Sequence, residues 1–532
     1  MRPLLALSLT AATLLAQPFD LVIAGARIID GSGNPWFRAD IGILNGRIHA
    51  IGSLGAHPAR RVIRAANLVV MPGFIDMMGA NSEPLLDDRT SAESKLRQGI
   101  TTMLAGEGGS VAPSRHWPRF ATYFAALEKH GVPLNVIHNV GAAQIRRHVI
   151  GVENRRPTPA ELQHMRKLVE QAMTDGAVGL STALIYPPGT YATTDELVEM
   201  AKVVARFNGI YLTHMRNESH ALLDAIRESM LIGQRAGIPV HIFHLKAAGQ
   251  ENWPLFTQAI DLIQSARDRG FDVTADIYPY IRNGLGLTAL VHPRHFSQGA
   301  EPFLKTLSNP AVRAALRQEI EQTADWENWY RHAGRNWDNI LVASVGARLD
   351  KNYEGKSIAQ IARLRQQDEW SAFFDLLATD TVSVNPVSMN EQQKHLALRT
   401  PWVSLCTDAP PVALHQATGA HPRAFGSFPR VLAKYVRDEN IIPLEMAVRK
   451  MTSLAANRLG LFDRGRIAPG LWADLVLVDL DKVHDKATFT QPLAFPDGIP
   501  YVIVNGVVAI DDGRFSPHNA GHVLRHNIRR SK

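Results

Sequence analysis

Ile210-Tyr-Leu-Thr-His-Met-Arg-Asn-Glu218 and Val240-His-Ile-Phe-His-Leu-Lys246 carry the strongest structural signal in this chain. Each begins as a short apolar run that reads as a buried strand, and each run closes on a histidine, His214 in the first and His244 in the second. Thirty residues separate the two imidazoles, the span of one strand-helix-strand unit. In a parallel barrel such a unit delivers both rings to the same C-terminal rim, where one divalent metal can take them together. Two acidic residues repeat the placement. Glu107 follows the apolar run from Ile100 to Ala105 inside Gly106-Glu-Gly-Gly109, and Asp408 follows Trp402-Val-Ser-Leu-Cys-Thr407.

Working outward, the middle of the chain alternates strand and helix signals. Ser91 to Gln98 reads as a helix stopped by Gly99, feeding the strand at Ile100. Pro133 to His138 and Val178 to Thr182 read as strands, and Ala160 to Thr174, Thr194 to Phe207, Ala221 to Ala236 and Trp253 to Arg269 as helices. Phe271 to Asp276 follows as another strand. Alternation sustained this far predicts a parallel (β/α)8 barrel. From about 284 to 380 the rhythm breaks, with helical stretches at Ala311 to Glu321 and Ile358 to Leu376, and this segment reads as an insertion on the catalytic rim that caps the pocket.

The two ends have a different period. Leu21 to Ala24, Arg27 to Ile29, Ile41 to Leu44 and Arg47 to Ile51 are short strands broken by Asn-Gly and Gly-Ser turns. Ala473 to Asp479 and Tyr501 to Ala509, with the hairpin signal Asn505-Gly506, repeat that pattern. The expected organisation is therefore a small β-sandwich built from 17–70 and 461–520 around a barrel at 71–460, followed by a basic tail at 521–532. Residues 1–16 carry one positive charge, a short apolar stretch and a terminal alanine, the order of a cleavable export signal, which implies a periplasmic or secreted protein. A buried N-terminal helix is the competing reading. The apolar run is too short to span a bilayer.

Composition excludes other classes. The chain has 532 residues, 45% of them hydrophobic and 20% charged, which excludes disorder and a membrane-spanning protein. The net charge of +7 is scattered except in the tail from Arg525 to Lys532, so no basic stripe points to nucleic acid. Cys406 is the only cysteine, which rules out an internal disulfide, and its place in an apolar strand suits packing rather than catalysis.

Several ordered passages together resemble the amidohydrolase superfamily and, within it, the D-aminoacylase (N-acyl-D-amino-acid deacylase) family, from about residue 19 to 515. They are Gly179-Leu-Ser-Thr with Tyr186-Pro-Pro-Gly189, Thr213 to Glu218, Phe243-His-Leu-Lys246, Asp276-Ile-Tyr-Pro-Tyr280, His421 to Arg430 and Met451 to Ala456. Pro72-Gly-Phe-Ile-Asp76 and Gly470 to Val476 are superfamily punctuation. The resemblance implies a metal-dependent hydrolase of the amide bond in N-acyl-D-amino acids, with no organic cofactor. The departures are informative. The superfamily places His-x-His after the opening motif, whereas this chain has Met77-Met-Gly-Ala-Asn81. Met78 offers a soft thioether ill suited to zinc, and Ala80 offers no donor. Glu107 stands where the family has a metal-bound cysteine, and Gly141-Ala-Ala143 replaces Gly-His-Gly.

One half of a two-metal site is thus lost and the other kept, leaving one open zinc held by Glu107, His214 and His244, an acceptable His2Glu set. Asp408 matches the family's catalytic aspartate and becomes the general base for the water that the zinc activates. Tyr278 becomes a donor to the developing oxyanion, and Lys246 or Arg423 a partner for the substrate carboxylate. Asp76 and Glu83 are weaker candidates to fill the gap left by the missing histidines. Two other functions stay open: an amidase acting on dipeptides or on cyclic amides such as hydantoins, and a non-catalytic protein that kept the barrel after losing ligands.

Overall fold

The computed structural model describes residues 17–55, 57–323, 325–417 and 421–526; the expected export signal lies outside them. Eight parallel strands run in chain order through Phe74–Asp76, Ile100–Ala105, Asn135–His138, Gly179–Ala183, Ile210–His214, Val240–Ile242, Val273–Ile277 and Val403–Leu405. They form two arcs, and backbone hydrogen bonds join the arcs at both seams. Val178 N donates to His138 O at 2.8 Å between the third and fourth strands, and Met77 N to Leu405 O at 3.3 Å between the first and last. A closed (β/α)8 barrel results, with its helices on the outside.

Side-chain alternation sorts the strand residues into two layers. Along Ile210–His214, Ile210 and Leu212 pack inside the barrel while Tyr211 and the following Met215 pack against the helical ring. His214 shares the parity of Ile210 and Leu212, so it faces inward at the C-terminal mouth. Cys406 is buried among the interior residues, as a packing role requires. The helices start and stop where local chemistry directs. Helix Pro159–Asp175 opens on a capping box of Thr158 and Glu161 with proline in its first turn, and Gly176 closes it with φ +115°.

Between the seventh and eighth barrel strands stands the insertion. Its helices surround a three-stranded antiparallel sheet of Leu285–Gly286, Val382–Pro386 and Ile340–Val345, which the sequence reading did not anticipate. Trp329, Trp337, Trp370 and Phe373 anchor its separate core. The stretch expected as helix from Ile358 to Leu376 is two helices, Ile358–Leu364 and Glu369–Thr379. Gln366 with φ +53° breaks the first and Asp368 caps the second.

Both ends of the chain build one nine-stranded sheet. Leu21–Ile28 is a continuous strand rather than two, because a bulge between Ile23 and Ala26, with Gly25 at φ +70°, bends the chain without ending the ladder. Val69–Pro72 pairs with Leu475–Val478, joining the N-terminal and C-terminal halves. The sheet curls until Ile48 N meets Leu471 O and Ala473 N meets Gly46 O, enclosing Ile23, Ile41, Leu475 and Ile503 between its faces. Residues 521–526 do not hang free as a tail. Gly521 N bonds to Val132 O and Leu524 N to Val136 O beneath the barrel, and Arg525 pairs with Glu128. Among the described residues, no helix is long and apolar enough to cross a membrane.

Candidate metal centre

The C-terminal mouth gathers the residues that the sequence singled out. Glu107 leaves the second strand between Gly106 and Gly108, both at positive φ. A Cβ on Gly108 would sit 2.5 Å from Ala183 N, so only glycine lets this loop press onto the fourth strand and turn Glu107 inward. His214 arrives by strand parity. His244 does not: His241 and Phe243 face inward, so His244 has the outward parity, but its φ of +35° turns the ring back over the mouth. Asp276 fixes that turn by accepting from His244 N at 2.7 Å.

One ligand atom from each of Glu107, His214 and His244 lies within 4.8 Å of the other two. Glu107 Oε1 stands 2.8 Å from His214 Nδ1 and 3.6 Å from His244 Nε2. The rings meet edge to face with centroids 4.4 Å apart. Four buried polar atoms around them lack hydrogen-bond partners: His214 Nε2, Glu218 Oε2, Tyr278 OH and Arg423 Nε. A carboxylate with two imidazoles, their donor atoms gathered this closely, is a zinc-type donor set, so the residues fit a divalent ion.

Tyr278 and Asp408 continue the inward parity of Asp276 and Cys406. Asp408, at φ +49°, is fixed by its N–H to Met78 O at 2.9 Å, and its Oδ2 lies 2.5 Å from Arg423 Nη1. Burial raises the Asp408 carboxyl above its ordinary range, opposed by the Arg423 guanidinium and by His244. Burial also holds the Tyr278 hydroxyl well above its usual value, so it remains a proton-bearing donor. Lys246 Nζ lies 2.7 Å from Glu218 Oε1, so Lys246 and Arg423 each already face a carboxylate.

The weaker candidates are not brought in. Asp76 is taken by Lys95 Nζ at 2.8 Å and Thr407 Oγ1 at 2.6 Å, and the Glu83 carboxylate accepts from the neighbouring Asn81 Nδ2 at 3.3 Å. Met78 packs in the barrel interior. Three side chains at the mouth were not singled out from the sequence. Glu218 is fully buried and touches both histidines, four residues past His214 in a passage that the family resemblance already marked. Burial would raise its carboxyl, but Lys246 and the two histidines outweigh burial and hold it well below the usual range. Tyr186 places its ring 5.4 Å from that of His214. Lys394 sits 4.9 Å from the Tyr278 ring, and burial with Lys246 nearby lowers its ammonium to about 7; nothing in its helical context signals this. A large cavity at the opposite mouth, lined by Val178, Leu459, Trp472 and His522, holds none of these residues. In barrels of this kind chemistry belongs to the C-terminal rim.

Barrel and rim agree with the class that comparison defines: the chain belongs to the amidohydrolase family, whose model matches residues 61–510. It is 33% identical to the D-aminoacylase of Alcaligenes xylosoxydans xylosoxydans over 527 residues, covering 96% of this chain and 98% of that one. Among solved structures it resembles the N-acyl-D-glutamate deacylase of Bordetella bronchiseptica, complexed with zinc and a phosphonate mimic of the tetrahedral intermediate, at TM-score 0.80 and 32% identity, covering 96% and 100% of the chains. A D-aminoacylase structure described in terms of one-metal activation and second-metal attenuation matches at TM-score 0.80 and 31% identity, with the same coverage.

Proposed function

We propose that this chain hydrolyses the amide bond of N-acyl-D-amino acids, using one zinc ion held by Glu107, His214 and His244. The observation that carries the reading is the convergence of those three donors beside Asp408 at the C-terminal mouth. Likeness over nearly the whole length to a D-aminoacylase and an N-acyl-D-glutamate deacylase supports the reaction and the enantiomer. Bound there, zinc supplies Lewis acidity, lowering the pKa of water toward ~7 and polarising the scissile carbonyl.

The chain's own residues do the rest. The Asp408 carboxylate takes a proton from the attacking water and delivers it to the departing nitrogen. Tyr278, whose hydroxyl is buried without a partner, donates to the carbonyl oxygen as charge develops on it. Lys246 or Arg423 presents a cation to the substrate carboxylate, and of the two Arg423 keeps a donor, Nε, unspent. A count of one ion is favoured by Met78 and Ala80 in place of His-x-His and by the capture of Asp76 by Lys95. Export to the periplasm or medium belongs to the same proposal, on the signal-like order of residues 1–16.

Zinc-loaded protein offered a matched panel of N-acyl-D- and N-acyl-L-amino acids is expected to release free amino acid from the D series preferentially. Release from the L series alone, or from cyclic amides alone, would overturn the substrate assignment.

A further inference from the structure

Glu218 lies on the loop leaving the barrel strand Ile210–His214, and its two carboxylate oxygens divide between the two histidines. Oε1 is 3.1 Å from His244 Nδ1 and Oε2 is 3.5 Å from His214 Nε2. These are the nitrogens turned away from Glu107, which faces His214 Nδ1 and His244 Nε2. Two carboxylates therefore bracket the imidazole pair, Glu107 on the side where an ion would sit and Glu218 on the far side. His214 Nε2 and Glu218 Oε2 are both buried and lack a regular hydrogen bond, so a slight closing of the gap between them satisfies both atoms.

The loop that carries Glu218 is pinned from two directions. Its N–H donates to Glu327 Oε1 of the insertion, and its carbonyl accepts from Ala248 N at 2.7 Å. The other oxygen of Glu327 is held by His332 Nε2 at 2.8 Å. Lys246 Nζ stands 2.7 Å from Glu218 Oε1 and 2.6 Å from His244 Nδ1. The contact with His244 suits an imidazole whose proton is on Nε2. Once Nε2 serves as a ligand atom the proton belongs on Nδ1, where Glu218 is the matching acceptor.

We propose that Glu218 is the positioning residue for both metal histidines, a single carboxylate that fixes the tautomer and orientation of each ring from behind. An acceptor on the far nitrogen of a ligating histidine sets its aim and its basicity, and losing one typically costs 10- to 100-fold in metal affinity. The inference rests on the reading that Glu107, His214 and His244 hold the ion.

The test is zinc affinity, measured by competition with a chromophoric chelator on metal-free wild type and Glu218→Gln, together with the visible spectrum of each protein loaded with Co2+. Glu218→Gln is expected to bind zinc about 10- to 100-fold more weakly and to shift the cobalt bands, since both rings lose an anionic acceptor. If Glu218→Gln does not fold, Glu218→Asp replaces it, with the same direction expected because the shorter side chain cannot reach both rings. Wild-type affinity and an unchanged cobalt spectrum in the folded variant would overturn this inference alone. Wild-type protein that takes up no zinc would overturn the three-ligand reading and this inference with it.

Discussion

The Arg423 guanidinium closes on the Asp408 carboxylate, Nη1 to Oδ2 at 2.5 Å, with both side chains largely buried at the mouth of the barrel. That pair places a fixed cation against the proposed proton shuttle. Replacing Asp408 by asparagine keeps shape and hydrogen bonding but removes the base. Turnover should fall on the order of a hundredfold or more, since a placed base contributes about 10² to 10⁴. Zinc content should be unchanged. Steady-state kinetics beside elemental analysis checks both, and a fully active Asp408→Asn protein contradicts the assignment.

The same pair sets a pH dependence. A base works ionised, so the rate falls as pH drops through its pKa. Burial raises that of Asp408 while Arg423 pulls it down. Removing that cation in Arg423→Gln should therefore move the acid limb of kcat/KM toward neutral pH relative to wild type. A limb that stays in place in Arg423→Gln would remove Asp408 from the titration.

Replacing His214 or His244 by alanine should abolish most zinc binding while leaving the fold. The barrel rests on apolar packing such as Leu212, Tyr211, Ile242 and Phe243, all fully buried, and not on an ion. Circular dichroism should be close to wild type, with metal content near zero. Full zinc retention in both variants would refute the ligand set.

For export, N-terminal sequencing of protein from its native host should begin near Gln17. An intact Met1 recovered from the cytosolic fraction would rule it out.

Much of this architecture is legible because a buried strand followed by a capped helix leaves a strong local trace. The helix read as Ala160 to Thr174 is Pro159–Asp175 in the structure, one residue longer at each end. Both faces of a barrel strand are buried, so Ile210 and Tyr211 look alike in sequence although one faces the interior and the other the helices. The inward turn of His244 depends on a φ of +35° that no neighbouring glycine announces. Glu218 escaped for a related reason. An acidic residue on a loop four positions past a strand-ending histidine reads as solvated unless its contacts with His214, His244 and Lys246 are known. The insertion's antiparallel strands were hidden because their partners lie far apart in sequence, Leu341 opposite Asn385.

In the proposed mechanism a single ion suffices for deacylation. Metal-free protein titrated with zinc while the hydrolysis of an N-acyl-D-amino acid is followed tests it most directly. The rate should climb to a plateau at about one equivalent, as a lone open zinc site with three protein ligands requires. A rate that keeps rising to two equivalents, or fully loaded protein that turns over no N-acyl-D-amino acid, would contradict it.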